Sequence, residues 1–137
     1  MDILKDFGEP HIKQVMLPKD TNSAGNIFGG WIMSQIDLAG AQAAREISPE
    51  RVVTISMKEI IFKQPVFVGD VLSCYAKIIA VGKTSITTQI EVTALRLNDG
   101  GFRETIHVTS ATATYVSVTK DGHKKPIDEK IKELHGF

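Results

Sequence analysis

The segment from residue 27 to residue 44 constrains the fold of this chain more than any other. It reads IFGGWIMSQIDLAGAQAA, and Asp37 is its only ionisable side chain. Its apolar residues recur around the whole circumference of a helix, which is typical of a helix enclosed by protein on every side. We therefore predict one long central helix, from about Phe28 to about Glu46, that ends before Pro49.

After this helix the pattern changes to that of β-strands, which are rich in branched residues and bounded by turn residues. Strands are predicted over residues 51–62, 71–81, 84–97 and 102–119, with an earlier strand over 11–17 and a short amphipathic helix over 127–134. Long strands that follow one apolar helix favour an α+β fold in which an antiparallel sheet of about five or six strands curls around the helix, the hotdog arrangement. Such a sheet leaves edge strands without partners, which favours dimerisation.

Composition narrows the classes of protein that this chain can belong to. Its 137 residues predict a single domain, 1–137, with a short tail from about residue 120. A formal net charge of +0 gives no overall field toward nucleic acid or anionic membranes, and it does little to oppose self-association. The single cysteine, Cys74, and the absence of a long apolar stretch near the N-terminus predict a cytoplasmic protein with neither nucleic acid nor membrane as a partner.

Asp37 is the first candidate for chemistry. A carboxylate in an apolar helix is costly, because burial disfavours its charged form. Such a group is a candidate for acid–base chemistry. The alternative is a structural role, in which Asp37 is hydrogen-bonded to Ser34, to a threonine or to the backbone in the core.

Gly29 and Gly30 open the predicted helix, where free N–H groups at the positive end of the helix dipole suit a developing oxyanion. The alternative is that the two glycines only allow tight packing of the helix on the sheet. Asp37 follows them by about two turns, or roughly 11 Å along the axis, which is too far for one subunit to use both on the same carbon. In a symmetric dimer with antiparallel helices, Asp37 of one subunit would lie near the glycines of the other.

Asn22 is the third candidate, because its amide can donate to and accept from a water or a carbonyl. The alternative is an Asx turn in the loop, and Asn26 is predicted to be the helix N-cap. The sequence lacks a Gly-x-Ser-x-Gly elbow and a phosphate-binding loop. Its histidines do not show metal-ligand spacing and Cys74 has no nearby partner, so a metal site and a Ser or Cys nucleophile are not expected.

The segment over residues 20–37, DTNSAGNIFGGWIMSQID, resembles the signature of hotdog-fold acyl-CoA thioesterases, and of their YciA-like bacterial branch in particular. The likeness continues through residues 51–54, 62–66, 68–71 and 81–85, and it covers roughly residues 11–127. The resemblance implies that Asp37 is the catalytic carboxylate and that Asn22 is its partner across a subunit interface. It also implies that N–H groups around Gly29 and Gly30 polarise the thioester carbonyl, and that the assembly is a homo-oligomer, often a trimer of dimers.

The resemblance implies hydrolysis of acyl-CoA to a free acid and coenzyme A, with coenzyme A as part of the substrate and no further cofactor. Asp37 can then act as general base or attack directly, and both mechanisms stay open. Residues in the predicted turn are candidates for the coenzyme A phosphates, with two further lysines as weaker ones: Lys83, Thr84 and Ser85, then Lys58 and Lys63. The alternative for the lysines is solvated surface charge.

Two other functions compete with hydrolysis. A hotdog hydratase or dehydratase usually pairs a histidine with a carboxylate, and no histidine lies between Asn22 and Asp37. A non-catalytic acyl-CoA sensor would bind the same ligand without releasing coenzyme A.

Overall fold

The computed structural model describes residues 2–137. In chain order it contains β1 (Ile12–Val15), α1 (Gly29–Ala44), β2 (Val52–Lys58), β3 (Val71–Val81), β4 (Ser85–Leu97), β5 (Arg103–Ser117) and α2 (Glu129–Leu134). The strands form one sheet in the order β1-β3-β4-β5-β2, and every neighbouring pair is antiparallel. The predicted antiparallel sheet around one helix is therefore confirmed, with five strands.

The strand at the centre of the sheet is β4, as the alternation of apolar residues along it favours. β4 pairs with β3 on one side and with β5 on the other, so both of its edges are hydrogen-bonded. Its alternate side chains form the inner face and are fully buried: Ile86, Thr88, Ile90, Val92 and Ala94, with Thr88 bonded to a carbonyl of β5. Because side chains alternate between the two faces of a strand, this set faces α1.

The strand predicted over residues 51–62 is wrong at its C-terminal end. β2 ends at Lys58, and Glu59 has a positive φ of 63°, which takes the chain out of the extended conformation. The following segment stays beside β5, where the Lys63 N–H donates to the Val108 carbonyl at 2.8 Å. The strand predicted over residues 11–17 is also shorter, since β1 covers only Ile12–Val15.

A register shift in β2 sets which of its side chains point toward the helix. The shift lies between Thr54 and Ser56, and Ile55 at this bulge is 57% exposed, so the alternation of inner and outer side chains is interrupted there. Thr54 stands directly opposite Tyr115 of β5. Residues that oppose each other in an antiparallel pair share one face of the sheet, so both side chains are carried to α1.

The helix α1 is buried on one side only. Its buried residues are Ile32, Ile36, Ala39, Gly40, Ala43 and Ala44. Its opposite side exposes large apolar side chains, including Met33 at 40% and Leu38 at 53%. The prediction of a helix enclosed all round is therefore wrong for a single protomer, because one sheet covers only one side of a cylinder. Within residues 2–137, no helix is both long enough and apolar enough to span a bilayer.

Gly40 is where α1 approaches the sheet most closely. A Cβ placed on Gly40 would overlap the Tyr115 hydroxyl and would lie 3.0 Å from Thr88 Oγ1. Neither side chain can give way, because both are fully buried. The tight packing that the sequence suggested for the first two helix glycines therefore occurs instead at Gly40, in the middle of the helix.

Candidate active site

Asp37 lies in the middle of α1 and is partly exposed. Its Oδ1 accepts a hydrogen bond from Thr54 Oγ1 at 2.7 Å and another from the Tyr115 hydroxyl at 3.2 Å. Among the residues that the structure describes, none donates a hydrogen bond to the second oxygen, Oδ2. The carboxylate therefore has one anchored oxygen and one that is available for reaction.

The alternative role of Asp37 was structural, with hydrogen bonds to Ser34, to a threonine or to the backbone. The observed donors match it only in part. A threonine does bond the carboxylate, but the predicted bond from Ser34 is not formed, since Ser34 Oγ donates to the Trp31 carbonyl at 2.6 Å. The network also leaves one carboxylate oxygen without a partner inside the described protomer. Because Asp37 is partly exposed, this second oxygen is open to solvent or to an approaching ligand.

Free backbone donors lie at the start of α1. Phe28 is the N-cap residue, and it provides no side-chain hydrogen bond to the helix. The N–H groups of Gly29, Gly30 and Trp31 have no acceptor within residues 2–137, as is general for the first turn of a helix. The prediction that Asn26 caps the helix is wrong, because Asn26 lies before the cap and forms a β-bridge with Phe67.

The two glycines at this end are not packed against the sheet. A Cβ on Gly30 would meet nothing within 4 Å, and one on Gly29 would meet only the Phe62 ring, at 3.4 Å. Helix packing therefore does not explain Gly30, and it explains Gly29 only weakly. Both leave the backbone N–H groups open to an approaching ligand.

Asn22 shares a cavity with Gly29. The Asn22 Oδ1 accepts from the N–H groups of Ala24 at 2.9 Å and of Asn26 at 3.1 Å, which is the Asx-type turn given above as its alternative role. These bonds occupy the oxygen, so the amide nitrogen, Nδ2, is the group that remains able to donate. The cavity has a volume of about 220 Å³ and a mostly apolar wall, lined by Asn22, Asn26, Ile27, Gly29, Ile32, Phe62, Gln64, Pro65 and Val66.

Asp37 does not line this cavity, and it follows Gly29 by eight positions in α1, or about 12 Å at 1.5 Å per residue. One protomer therefore carries two separate groups of candidate residues, which we call the carboxylate half and the donor half. The carboxylate half consists of Asp37, Thr54 and Tyr115, and the donor half consists of Asn22 and the first N–H groups of α1. The separation that the sequence predicted is confirmed.

Comparison with known families identifies the group to which this arrangement belongs. The profile of the thioesterase superfamily matches residues 24–98, more than half of the chain. The chain belongs to the thioesterase superfamily. It is 42% identical over 120 residues to the acyl-CoA thioester hydrolase YciA of Salmonella typhimurium, covering 88% of this chain and 90% of that protein.

Solved structures agree with this assignment and confirm the hotdog fold of this thioesterase. A hexameric hotdog fold thioesterase of Campylobacter jejuni is 64% identical, with a TM-score of 0.93 over 96% of this chain and 99% of that one. HI0827, a hexameric broad specificity acyl-coenzyme A thioesterase, is 40% identical, with a TM-score of 0.85 over 93% of this chain and 87% of that one. The resemblance inferred from residues 20–37 is thus confirmed, and the chain is a thioester hydrolase.

The turn predicted to meet coenzyme A lies beside the part of β5 that carries Tyr115, since Ser85 pairs with Val116 and Ile86 with Tyr115. Lys83 and Thr84 connect β3 to β4, and their carbonyls accept from the N–H groups of Ile127 at 2.9 Å and Ser117 at 2.8 Å. Ser85 is the first residue of β4. The Lys83 side chain is exposed and forms no ion pair within the described residues. A coenzyme A role for this turn remains a prediction.

The two weaker lysine candidates differ from each other. Lys58 is exposed at the end of β2, whereas the Lys63 ammonium lies 3.3 Å from His107 Nδ1. The other ring nitrogen of His107 lies 3.0 Å from Glu91 Oε1, and Glu91 is only 5% exposed. Lys63 is therefore held by a polar cluster on the strands, while Lys58 is the freer of the two charges.

Sequence reasoning did not single out Thr54 or Tyr115. Both are ordinary strand residues, and their separation from Asp37 along the chain follows no local spacing rule. Thr54 is the last residue of the segment 51–54, which is part of the family resemblance, so the sequence did contain one indication that Thr54 is relevant. The sequence contains no such indication for Tyr115, since a tyrosine in a strand usually packs in the core.

Proposed function

We propose that this thioesterase hydrolyses acyl-CoA thioesters to free carboxylic acid and coenzyme A, at a site shared between two copies of the chain. The observation that carries this proposal is the geometry of Asp37, whose Oδ1 is anchored by two donors while Oδ2 is free on a partly exposed helix face. The donor half around Asn22 and Gly29 is complementary, because it offers hydrogen-bond donors but no base.

The open face of α1 supports a shared site. Phe28, Met33 and Leu38 on this helix are between 40% and 53% exposed in one protomer. Two copies of α1 packed antiparallel about a two-fold axis would bury these side chains and would bring each Asp37 near the partner's first helical turn. The Campylobacter jejuni thioesterase and HI0827 are both hexameric, and we propose a homo-oligomer of the same kind here, a trimer of dimers.

In the reaction, the thioester carbonyl oxygen accepts from the N–H groups of Gly29 and Gly30. Asp37 Oδ2 takes a proton from water while the water oxygen attacks the carbonyl carbon, and the N–H groups stabilise the resulting oxyanion. The C–S bond then breaks, and the sulfur takes up the proton from the Asp37 carboxyl group. Asn22 Nδ2 orients the water or the carbonyl as a donor.

Direct attack by Oδ2 is the second route that this geometry allows. It would form an acyl–aspartyl anhydride and release coenzyme A, and water would then hydrolyse the anhydride. Rapid-quench mass spectrometry distinguishes the two routes, since only the covalent route adds an acyl mass at Asp37. The single cysteine remains the ground for proposing a reducing, cytoplasmic location for either route.

The first test is the variant Asp37→Asn, which keeps the shape of the side chain and removes the base. We expect kcat to fall by about three orders of magnitude or more, as measured by a thiol-reactive dye that detects released coenzyme A. The matched control is Asp99→Asn in the exposed β4–β5 turn, which should hydrolyse acyl-CoA at the normal rate. Normal turnover by Asp37→Asn would refute the proposed mechanism.

The second test asks whether the two halves come from different copies. Gly30→Val places a side chain in space that is empty within one protomer, so it should block the donor half without disturbing the fold. Asp37→Asn and Gly30→Val should each be inactive alone. After unfolding and refolding together, they should recover about a quarter of normal activity, because half of the dimers are mixed and each mixed dimer has one intact site. No recovery from a properly reassembled mixture would place both halves in one copy.

A further inference from the structure

The Tyr115 hydroxyl connects the sheet to the proposed catalytic carboxylate. Tyr115 lies on β5, and it is fully buried. Its hydroxyl donates to the main-chain carbonyl of Asp37 at 2.8 Å and is 3.2 Å from the Oδ1 of the same residue. The hydroxyl therefore contacts both the backbone and the side chain of residue 37.

Burial limits what this hydroxyl can do. A side chain with no exposed surface cannot touch a substrate that enters from solvent, so Tyr115 is not a proton donor to the leaving group. Burial, and next the negative charge of Asp37, raise the pKa of Tyr115 well above its usual range. The hydroxyl thus remains protonated and acts only as a donor to Asp37.

Two hydroxyl groups on one oxygen restrict the carboxylate. Thr54 donates to Oδ1, and Tyr115 shares its single proton between Oδ1 and the Asp37 carbonyl, from strands that are paired with each other. Rotation of the carboxylate that exchanged its two oxygens would break both side-chain hydrogen bonds to Oδ1. Gly40 contributes to this arrangement, since a side chain at that position would occupy the space of the hydroxyl.

We propose that Tyr115 is a positioning residue, which together with Thr54 assigns Oδ1 of Asp37 to anchoring and Oδ2 to reaction. The bond to the Asp37 carbonyl ties this turn of α1 to β5, so the carboxylate is held relative to the sheet. This inference rests on the proposed role of Asp37 in acyl-CoA hydrolysis. Its test must therefore distinguish a failure of the positioning role of Tyr115 from a failure of the catalytic role of Asp37.

The direct test is Tyr115→Phe, which removes one hydroxyl and keeps the ring. We expect kcat to fall by about tenfold with little change in KM, because a hydrogen bond to the reacting group is lost while the substrate contacts remain. A fall in kcat without a change in KM separates lost positioning of the carboxylate from lost substrate binding.

Thr88→Val is the matched control. Thr88 is also fully buried and close to Gly40, but its hydroxyl donates to the Ala113 carbonyl at 3.2 Å and not to Asp37. It should share the loss of stability that follows from deleting a buried hydroxyl, while kcat and KM of the folded enzyme stay at the parent values. A Tyr115→Phe enzyme with the kcat of Thr88→Val would overturn the proposal.

A second measurement keeps the test decisive if Tyr115→Phe folds poorly. The chain has two tyrosines, so in a Tyr75→Phe background 3-fluorotyrosine labels position 115 alone. Fluorination makes the phenol a stronger donor, so kcat of the labelled enzyme should differ from that of the unlabelled Tyr75→Phe enzyme while KM stays the same. Equal kcat values would contradict the proposal. Activity retained by Asp37→Asn would instead refute the catalytic role of Asp37, whatever the Tyr115 variants show.

Discussion

Replacing Gly40 by alanine tests the packing on which the carboxylate half of the site depends. In an average helix interior this change is stabilising, by about 1 kcal/mol, because alanine restricts the unfolded chain and is the better helix former. Here the added Cβ would overlap the Tyr115 hydroxyl and would lie 3.0 Å from Thr88 Oγ1 and 3.1 Å from the Tyr115 ring. The helix must therefore move away from the sheet, or the tyrosine must move.

The size of the effect can be estimated from these contacts. Overpacking of a rigid core costs about 1–3 kcal/mol, and a displaced buried hydroxyl that loses its acceptor costs about 1–3 kcal/mol more. After the gain in helix propensity is subtracted, the free energy of unfolding should fall by about 1–5 kcal/mol. Tyr115 cannot swing into solvent to relieve the overlap, since its side chain has no exposed surface.

Urea unfolding, followed by fluorescence at one fixed protomer concentration, measures this change, because the stability of an oligomer depends on concentration. Gly30→Ala is the matched control, as a Cβ there meets nothing within 4 Å, and its free energy of unfolding should stay within about 1 kcal/mol of the parent. If Gly40→Ala were as stable as the parent or more stable, the close approach of α1 to Tyr115 would be refuted.

Three further residues give testable outcomes. Arg96→Leu should lower the free energy of unfolding by about 3–5 kcal/mol in thermal or urea melts, because the buried carboxylate of Asp70, 2.6 Å from the guanidinium, would lose its ion-pair partner. An unchanged melt would contradict this expectation. Burial raises the pKa of Cys74 from 9.0 to about 12, so thiol reagents at pH 8 should modify it only in denaturant. Because the unfolded thiol ionises first, the free energy of unfolding should fall as pH rises above 9, and Cys74→Ala should reduce that slope. Lys83→Ala should raise KM for acyl-CoA severalfold but not for a short pantetheine thioester. Equal effects on both substrates would remove Lys83 from coenzyme A recognition.

Periodicity was sufficient to predict the elements that are regular along their whole length. β3 occupies the predicted residues 71–81, and α1 and β4 begin or end within two residues of the predicted bounds. The prediction failed where a local conformation interrupts the pattern. β2 ends early at the positive φ of Glu59, and Ile55 turns outward at a bulge, neither of which leaves a mark in the spacing of apolar residues.

The residues of the candidate site also divide into those that the sequence could predict and those that it could not. Asp37 and the helix glycines are visible in the sequence because each is unusual in its surroundings. Thr54 and Tyr115 are not unusual, and they become relevant only because the pairing of β2 with β5 sets them opposite each other beneath Asp37. The requirement for a glycine at position 40 likewise depends on how the helix packs on the sheet, and not on the neighbouring residues in the chain.

The sequence by itself determined the one apolar helix, the antiparallel strands around it, the family, and the separation of Asp37 from the glycines. These depend on periodicity, on rise per residue and on motif, which are all properties of neighbouring residues. Only the tertiary structure decided which oxygen of Asp37 is free, which atom of Asn22 can still donate, and that one face of α1 lies open. Each of these depends on groups that are distant in the chain and are brought within hydrogen-bond distance, or left uncovered, by the packing of one sheet on one side of a helix.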